Sequence, residues 1–314
     1  MNVVKYTPMN SKKIITAIVV VLILVIGIYF ITKGLRSGVS SGPLPVGTST
    51  EPVAQVPVAT TTVSTNPATE VIGKSAGNLD ITAYHFGTGS TEVLFVGGSH
   101  GGYEWNTSLV AYNLISYLQQ NPSAVPANET VTVIPVLNPD GLQKVVGTTG
   151  SFVASDVSTS KTVQVSGRYN ANGVDLNRNF DCDWKANAVW QNTPVSGGTS
   201  AFSEPETQAI QKYVTAHKIA ASVTWYSSAG GVYSSNCHTG VSSQTNTLTQ
   251  TFAKASGYPA HESFDFYATT GDMVNWFAKK NIPAISVLLT NHTDTEWDKN
   301  QAGVEAVLKQ YAQL

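Results

Sequence analysis

The sequence predicts an α/β fold, a mixed and mostly parallel sheet covered by helices, and three observations carry that reading. Short apolar runs at Glu92–Val96, Val131–Val136, Ala220–Tyr226 and Ile282–Leu289 alternate with segments whose apolar residues recur at helical spacing. Those runs are apolar almost throughout, as expected of strands buried on both faces. The residues able to do chemistry fall just after them, where ligands sit in such folds.

Taken in order, the first run ends at Gly97-Gly98, which opens a loop. Val110, Leu114, Tyr117 and Leu118 then mark one face of a helix. The second run is closed by Asn138-Pro139-Asp140-Gly141, which reads as a turn. Ser203-Glu204-Pro205-Glu206 places Ser and Glu three apart, a capping box ahead of Ile210, Tyr213 and Val214. Val304, Val307, Leu308 and Tyr311 mark the last helix.

Composition narrows the function classes. Charged residues make up 12% of the chain, about half the usual ~25%. The net charge is −2 and no long basic run occurs, which argues against a nucleic-acid partner. Two cysteines are too few for a disulfide scaffold and are not clustered as in a structural zinc site.

Residues 14–32 are an uncharged run between lysines, long enough to span a ~30 Å hydrocarbon core. The run is longer than a signal-peptide core of about 7–15 residues, so it reads as a membrane anchor. Residues 1–13 are then expected in the cytoplasm. Residues 33–69, rich in Pro, Thr, Ser and Val, form a tether with too little apolar surface to fold. Residues 70–314 are expected to be one extracytoplasmic domain at the cell membrane.

Two motifs carry the chemistry. Ser99-His100-Gly101-Gly102-Tyr103-Glu104 puts an imidazole and a carboxylate just past a strand end, two donors suited to zinc. Gly167 to Phe180, GRYNANGVDLNRNF, concentrates Arg168, Asp175, Asn177 and Arg178 in a chain with few charges. A guanidinium there can grip a carboxylate or stabilise an oxyanion.

With FSEPET, YATTGDMVNW and the strand from Ile282, these motifs resemble the zinc carboxypeptidase family, the carboxypeptidase A-like metallopeptidases. The resemblance implies an eight-stranded mixed sheet, one zinc ion, and action on the C-terminal residue of a peptide. It implies His100 and Glu104 as metal ligands, and Arg168 as the oxyanion stabiliser. Asn177 and Arg178 would grip the terminal carboxylate, with Tyr267 closing over the substrate. Val274 and nearby Asp272 would line the specificity pocket.

The sequence departs from the family pattern in three places. His100 and Glu104 have three residues between them rather than two. Ser227 is read at the third-ligand position, and Leu288 where the general base belongs. On paper His238, His261 or His292 could replace the ligand, and Asp294 or Glu296 the base. Two readings stay open: a tethered metallocarboxypeptidase, or a pseudopeptidase that binds peptide C-termini without cutting them. Peptides of the cell wall or extracellular space are the natural ligands in either case. Cys182 and Cys237 flank the motif residues, and a bridge between them would suit an oxidising compartment.

Overall fold

The computed structural model of the chain describes residues 67–313. The expected cytoplasmic segment, the membrane run at 14–32 and the tether as far as residue 66 lie outside the described residues. Among the described residues no helix is long and apolar enough to cross a membrane. The expected tether ends slightly early, because a strand begins at Ala68.

Ten strands form in chain order: β1 (Ala68–Lys74), β2 (Asp80–Gly87), β3 (Thr91–Val96), β4 (Glu129–Ile134), β5 (Asn187–Trp190), β6 (Thr193–Ser196), β7 (Ile219–Ser227), β8 (Gly231–Ser234), β9 (Ala260–His261) and β10 (Ala284–Leu289). The helices are α1 (Trp105–Gln120), α2 (Pro139–Val146), α3 (Lys161–Ser166), α4 (Pro205–Ala216), α5 (Ser243–Ser256), α6 (Met273–Lys279) and α7 (Trp297–Tyr311). Eight strands make one sheet in the order β1-β2-β4-β3-β7-β10-β8-β9, while β5 and β6 form a separate hairpin. The centre, β4-β3-β7-β10, is parallel; β2 and β8 join it antiparallel, β1 pairs antiparallel with β2, and β9 pairs parallel with β8. The sheet is therefore mixed and mostly parallel, as expected.

Period-two alternation splits each central strand between two cores. Val93, Phe95, Trp225 and Val287 point to one face, where α1, α5 and α7 supply Leu114, Phe252 and Val304. Leu94, Val96, Tyr226 and Leu288 point to the other, packed by Ile210 and Tyr213 of α4 and Phe277 of α6. Both faces of the sheet are dry, which is why the strand runs look continuous in sequence.

Two local expectations are corrected. Asn138-Pro139-Asp140-Gly141 starts a helix: Asn138 caps α2 by accepting the Gly141 N–H at 2.9 Å, with Pro139 in the first helical position. The capping box at Ser203 does not form either. Glu204 is the residue before α4, and the Ser203 hydroxyl donates to its carboxylate at 2.8 Å. Glu206 leaves the helix end to accept the Ala76 N–H at 2.9 Å and an Asn170 amide N–H at 3.1 Å. A carboxylate with two long-range donors outcompetes the local motif.

Candidate functional site

The site lies beyond the carboxyl ends of β3, β7 and β10. After β3 the chain turns through Gly101, which has φ of +45° and would carry a Cβ 2.6 Å from the Gly167 carbonyl oxygen. Only glycine fits that position. The tight turn places His100 and then Glu104 beside the Arg168 segment.

His100, Glu104 and Asp175 are all buried. His100 Nδ1 stands 2.9 Å from Glu104 Oε1, and its Nε2 stands 3.4 Å from Asp175 Oδ1. Arg168 donates from Nε to Asp175 Oδ2 at 2.8 Å, with a second nitrogen at the same distance. Burial alone would raise the pKa of Asp175, but the Arg168 guanidinium and His100 hold it well below the usual carboxylate range. Burial would likewise lower the pKa of Arg168, and Asp175 and Glu104 raise it instead. The Arg168 guanidinium is stacked over the ring of Trp190 at 4.3 Å and lies 5.6 Å from that of Tyr103.

Asp175 also shapes the next segment by accepting the Asn177 N–H at 3.1 Å. Asn177 Oδ1 accepts the Tyr226 hydroxyl at 2.9 Å and the Met273 N–H at 3.1 Å, which leaves its amide N–H groups available. Arg178 is 1% exposed. It donates to the carbonyls of Val189 at 3.1 Å and Asn177 at 2.7 Å, and no carboxylate among the described residues lies within 4.0 Å of it.

A cavity of about 230 Å³ brings together His100, Glu104, Arg168, Asn177, Arg178 and Tyr267. Ser227, Asp272, Val274 and Leu288 also line it, so every site residue expected from the sequence, apart from the cysteines, meets there. Asp272 needs qualification: its two oxygens accept the Asn275 backbone N–H at 2.9 Å and side-chain N–H at 2.6 Å. It caps α6 and fixes the cavity floor.

The third-ligand expectation is corrected. The side chain that strand alternation turns towards His100 belongs to Tyr226, whose ring centroid is 5.5 Å from that of His100. The Ser227 hydroxyl turns to Asn106 at 2.9 Å, while its backbone N–H donates to Glu104 at 3.1 Å. A one-residue shift along a strand reverses the face presented, and the motif alone does not set that phase. Parallel pairing of β7 and β10 then places Leu288 beside Tyr226.

Catalytic zinc sites use three protein ligands and one open position. His100 and Glu104 are close enough to serve as two donors, but the third place holds Tyr226. Burial, reinforced by Asp272 and Glu104, raises the pKa of that phenol well above its ordinary value. It stays protonated and bonded to Asn177. Leu288 cannot act as a base, so these residues do not fit a catalytic zinc.

Of the replacements, His238, His261, Asp294 and Glu296 are engaged elsewhere, whereas His292 stays beside the site, where Glu104, His100 and Arg168 all act on it and its Nδ1 is buried without a partner. His238 pairs with Asp183 at 2.7 Å on the surface, and His261 stacks on Tyr233 at 4.5 Å. His292 packs against Tyr103 at 4.8 Å and lines a neighbouring cavity. Glu296 is held down at about 2, where donors from Lys299, Thr290 and Tyr258 outweigh burial, and Asp294 accepts from Asn291 at 2.8 Å. Cys182 and Cys237 form the expected bridge, with Cα atoms 6.1 Å apart. A ring nitrogen of His238 lies within 4.8 Å of both sulfurs, the one such three-residue group among the described residues. Sulfurs joined to each other offer no thiolate, so this group is not a metal site in the oxidised protein.

A family model described as zinc carboxypeptidase, peptidase M14, matches residues 60–300, and the chain belongs to that family. The catalytic chain of human carboxypeptidase N is 27% identical over 187 residues, 55% of this chain and 34% of its own length. The chain thus spans about a third of that relative. Among solved structures, carboxypeptidase A of Helicoverpa armigera superposes with a TM-score of 0.63 and 18% identity, over 79% of this chain and 69% of its own. The murein-tripeptide amidase MpaA of Escherichia coli O157 superposes at 0.55 with 22% identity, over 77% and 90%. At those identities the likeness is one of fold.

Proposed function

We propose that this domain is a receptor for peptide C-termini that holds the terminal carboxylate without hydrolysing the peptide bond. The observation that carries the reading is Arg178, a buried guanidinium lining a cavity with no carboxylate partner among the described residues. Buried charges are ordinarily paired, and the missing partner is an anion the size of a carboxylate. Two backbone carbonyls already fix the arginine and leave its outer edge open for a bidentate contact.

The free amide N–H groups of Asn177 supply a second donor, and Tyr267 covers the group from above. Val274 borders the terminal side chain. Arg168, locked against Asp175, faces the carbonyl of the last peptide bond. Tyr226 and Leu288 occupy the places of metal ligand and base, so the bound bond stays intact. A second reading, zinc-dependent carboxypeptidase activity, is favoured by the 2.9 Å approach of His100 and Glu104. Tethering by residues 14–32 would direct either activity to envelope or extracellular peptides.

Calorimetry on matched peptides tests the reading. Free C-termini bind better than amidated ones, by about ten- to a hundredfold, the worth of a charge-assisted bidentate contact. Arg178→Ala removes the difference. Equal binding of free and amidated peptides across a diverse library would overturn the proposal. Release of free C-terminal residues by zinc-loaded protein would favour the second reading.

A further inference from the structure

Each bridged cysteine is followed by a residue whose side chain can serve a metal, Asp183 after Cys182 and His238 after Cys237. Both followers hold left-handed backbone, with φ of +55° and +67°. That conformation is uncommon outside glycine, and it breaks the usual alternation of successive side chains. His238 is thereby brought back over the bridge, where one of its ring nitrogens lies within 4.8 Å of both sulfurs. Its Nε2 meets Asp183 Oδ1 at 2.7 Å. Two dipeptides separated by 55 residues so place four donor side chains together. The cysteines are buried, while the His238 side chain is 71% exposed. An exposed ion pair adds little to stability, and the bridge needs neither of its members.

We infer that reduction of the Cys182–Cys237 bridge turns this group into a binding site for a borderline-soft divalent cation, zinc above all. A dithiol supplies two electrons and two protons: the S–S bond breaks, two cysteine thiols form, and the dithiol closes to its own disulfide. The cation then displaces both thiol protons and is held by the two sulfurs and neutral His238. With Nε2 given to Asp183, Nδ1 is the nitrogen left for the cation. A carboxylate on the second ring nitrogen is the usual support of a metal-bound histidine. For tetrahedral Zn–S bonds of ~2.3 Å the sulfurs need part only to about 3.8 Å. Two thiolates and an imidazole favour such a cation over magnesium or calcium, which prefer oxygen. The exposed side of His238 admits the cation and leaves a fourth position to water. The consequence falls on the cavity already described. Arg178 lies just before Cys182, and Ser235 and Asn236 just before Cys237, and all three line that cavity. A metal across the two sulfurs keeps these segments joined when the covalent bridge is lost.

The test uses the full chain in detergent, once oxidised and once refolded under a phosphine reductant, which leaves no small thiol to compete for metal. After dialysis against zinc, elemental analysis is expected to find one more equivalent in the reduced protein than in the oxidised. Cobalt in place of zinc should give thiolate-to-metal charge-transfer absorption in the reduced form alone. Asp183→Asn is expected to weaken zinc binding by about 10–100-fold, and His238→Ala by at least as much. Cys182→Ser with Cys237→Ser removes the extra equivalent, which separates this site from any metal held by His100 and Glu104. Zinc should also raise the denaturant midpoint of the reduced protein well above its effect on the oxidised one. Equal zinc content in the two redox forms overturns the inference. A cobalt affinity that His238→Ala leaves intact marks a simple adduct of two thiols, and equally overturns it. So does failure of the reduced chain to refold with zinc present.

Discussion

At the scale of single residues, the decisive contrast within the cavity is between charges that have close partners and one that does not. Arg168 and Asp175 satisfy one another in a buried pair, and His100 is held between two carboxylates. Arg178 has only carbonyls within hydrogen-bond reach, with Asp272 and Asp175 acting on it from beyond 4.0 Å. On the reading proposed above, the same contrast separates carboxylate binding from metal chemistry. The phenol of Tyr226 and the isobutyl group of Leu288 stand side by side because β7 and β10 pair in parallel at that register. Tyr226→His together with Leu288→Glu is therefore expected to create a stoichiometric zinc site. The unmodified domain should hold zinc only substoichiometrically after dialysis against zinc. Elemental analysis of both proteins decides it. Full occupancy in the unmodified domain would show that another donor completes the ligand set.

At the scale of elements, short segments position the cavity, and their caps matter more than their length. α6 starts at Asp272, which donates no bond but accepts two from Asn275 and so fixes both the helix start and the neighbouring Val274. Asp272→Ala should cost about 1 kcal/mol for the lost cap. In a domain of this size that lowers the melting temperature by about 2–4 °C. Asp272→Asn, which keeps an acceptor, should lose less. Calorimetric melting of both variants measures the difference, and equal losses would show that the charge rather than the cap matters. The bridge Cys182–Cys237 works at the same scale: it ties the segment after Arg178 to the loop after β8, and Gly271 donates to the Cys182 carbonyl at 2.6 Å.

At the scale of the whole molecule, two buried carboxyl groups set an unusual pH dependence. Burial pushes both Glu129 and Glu206 up to about 7. Neither oxygen of Glu129 has a hydrogen-bond partner. A carboxyl whose folded pKa exceeds its unfolded value near 4.5 binds more protons when folded, so stability falls as pH rises between those values. Asp175 and Glu296, held low in the folded state, act in the opposite sense and lose their contribution in acid. The domain should therefore be most stable near pH ~4–5 and weaken towards pH ~7. Denaturant midpoints across that range test this, and Glu129→Gln should flatten the decline. A midpoint that rises steadily to pH ~8 would contradict it.

The α/β class and the central parallel strands were legible in the sequence because each strand is buried on both faces, and α1, α4 and α7 by their helical spacing, whereas α5 was not read and the start of α2 was read as a turn. Uninterrupted apolar runs need no partner to be recognised. His100 and Glu104 were legible because they follow a strand end, and Arg168 and Arg178 because charged groups are scarce in this chain; their roles and that of Asn177 were legible only through the family resemblance. The edge strands were not, since β1 is largely exposed and β9 has two residues. The sequence by itself determined which chemical groups are present and that the family's third ligand and base are missing. Only the tertiary structure decided that Tyr226, not Ser227, faces His100, because strand phase is set by packing against both cores. It likewise decided that Asp272 is a cap and that Arg178 is buried without a carboxylate, since partners depend on what folding brings within reach.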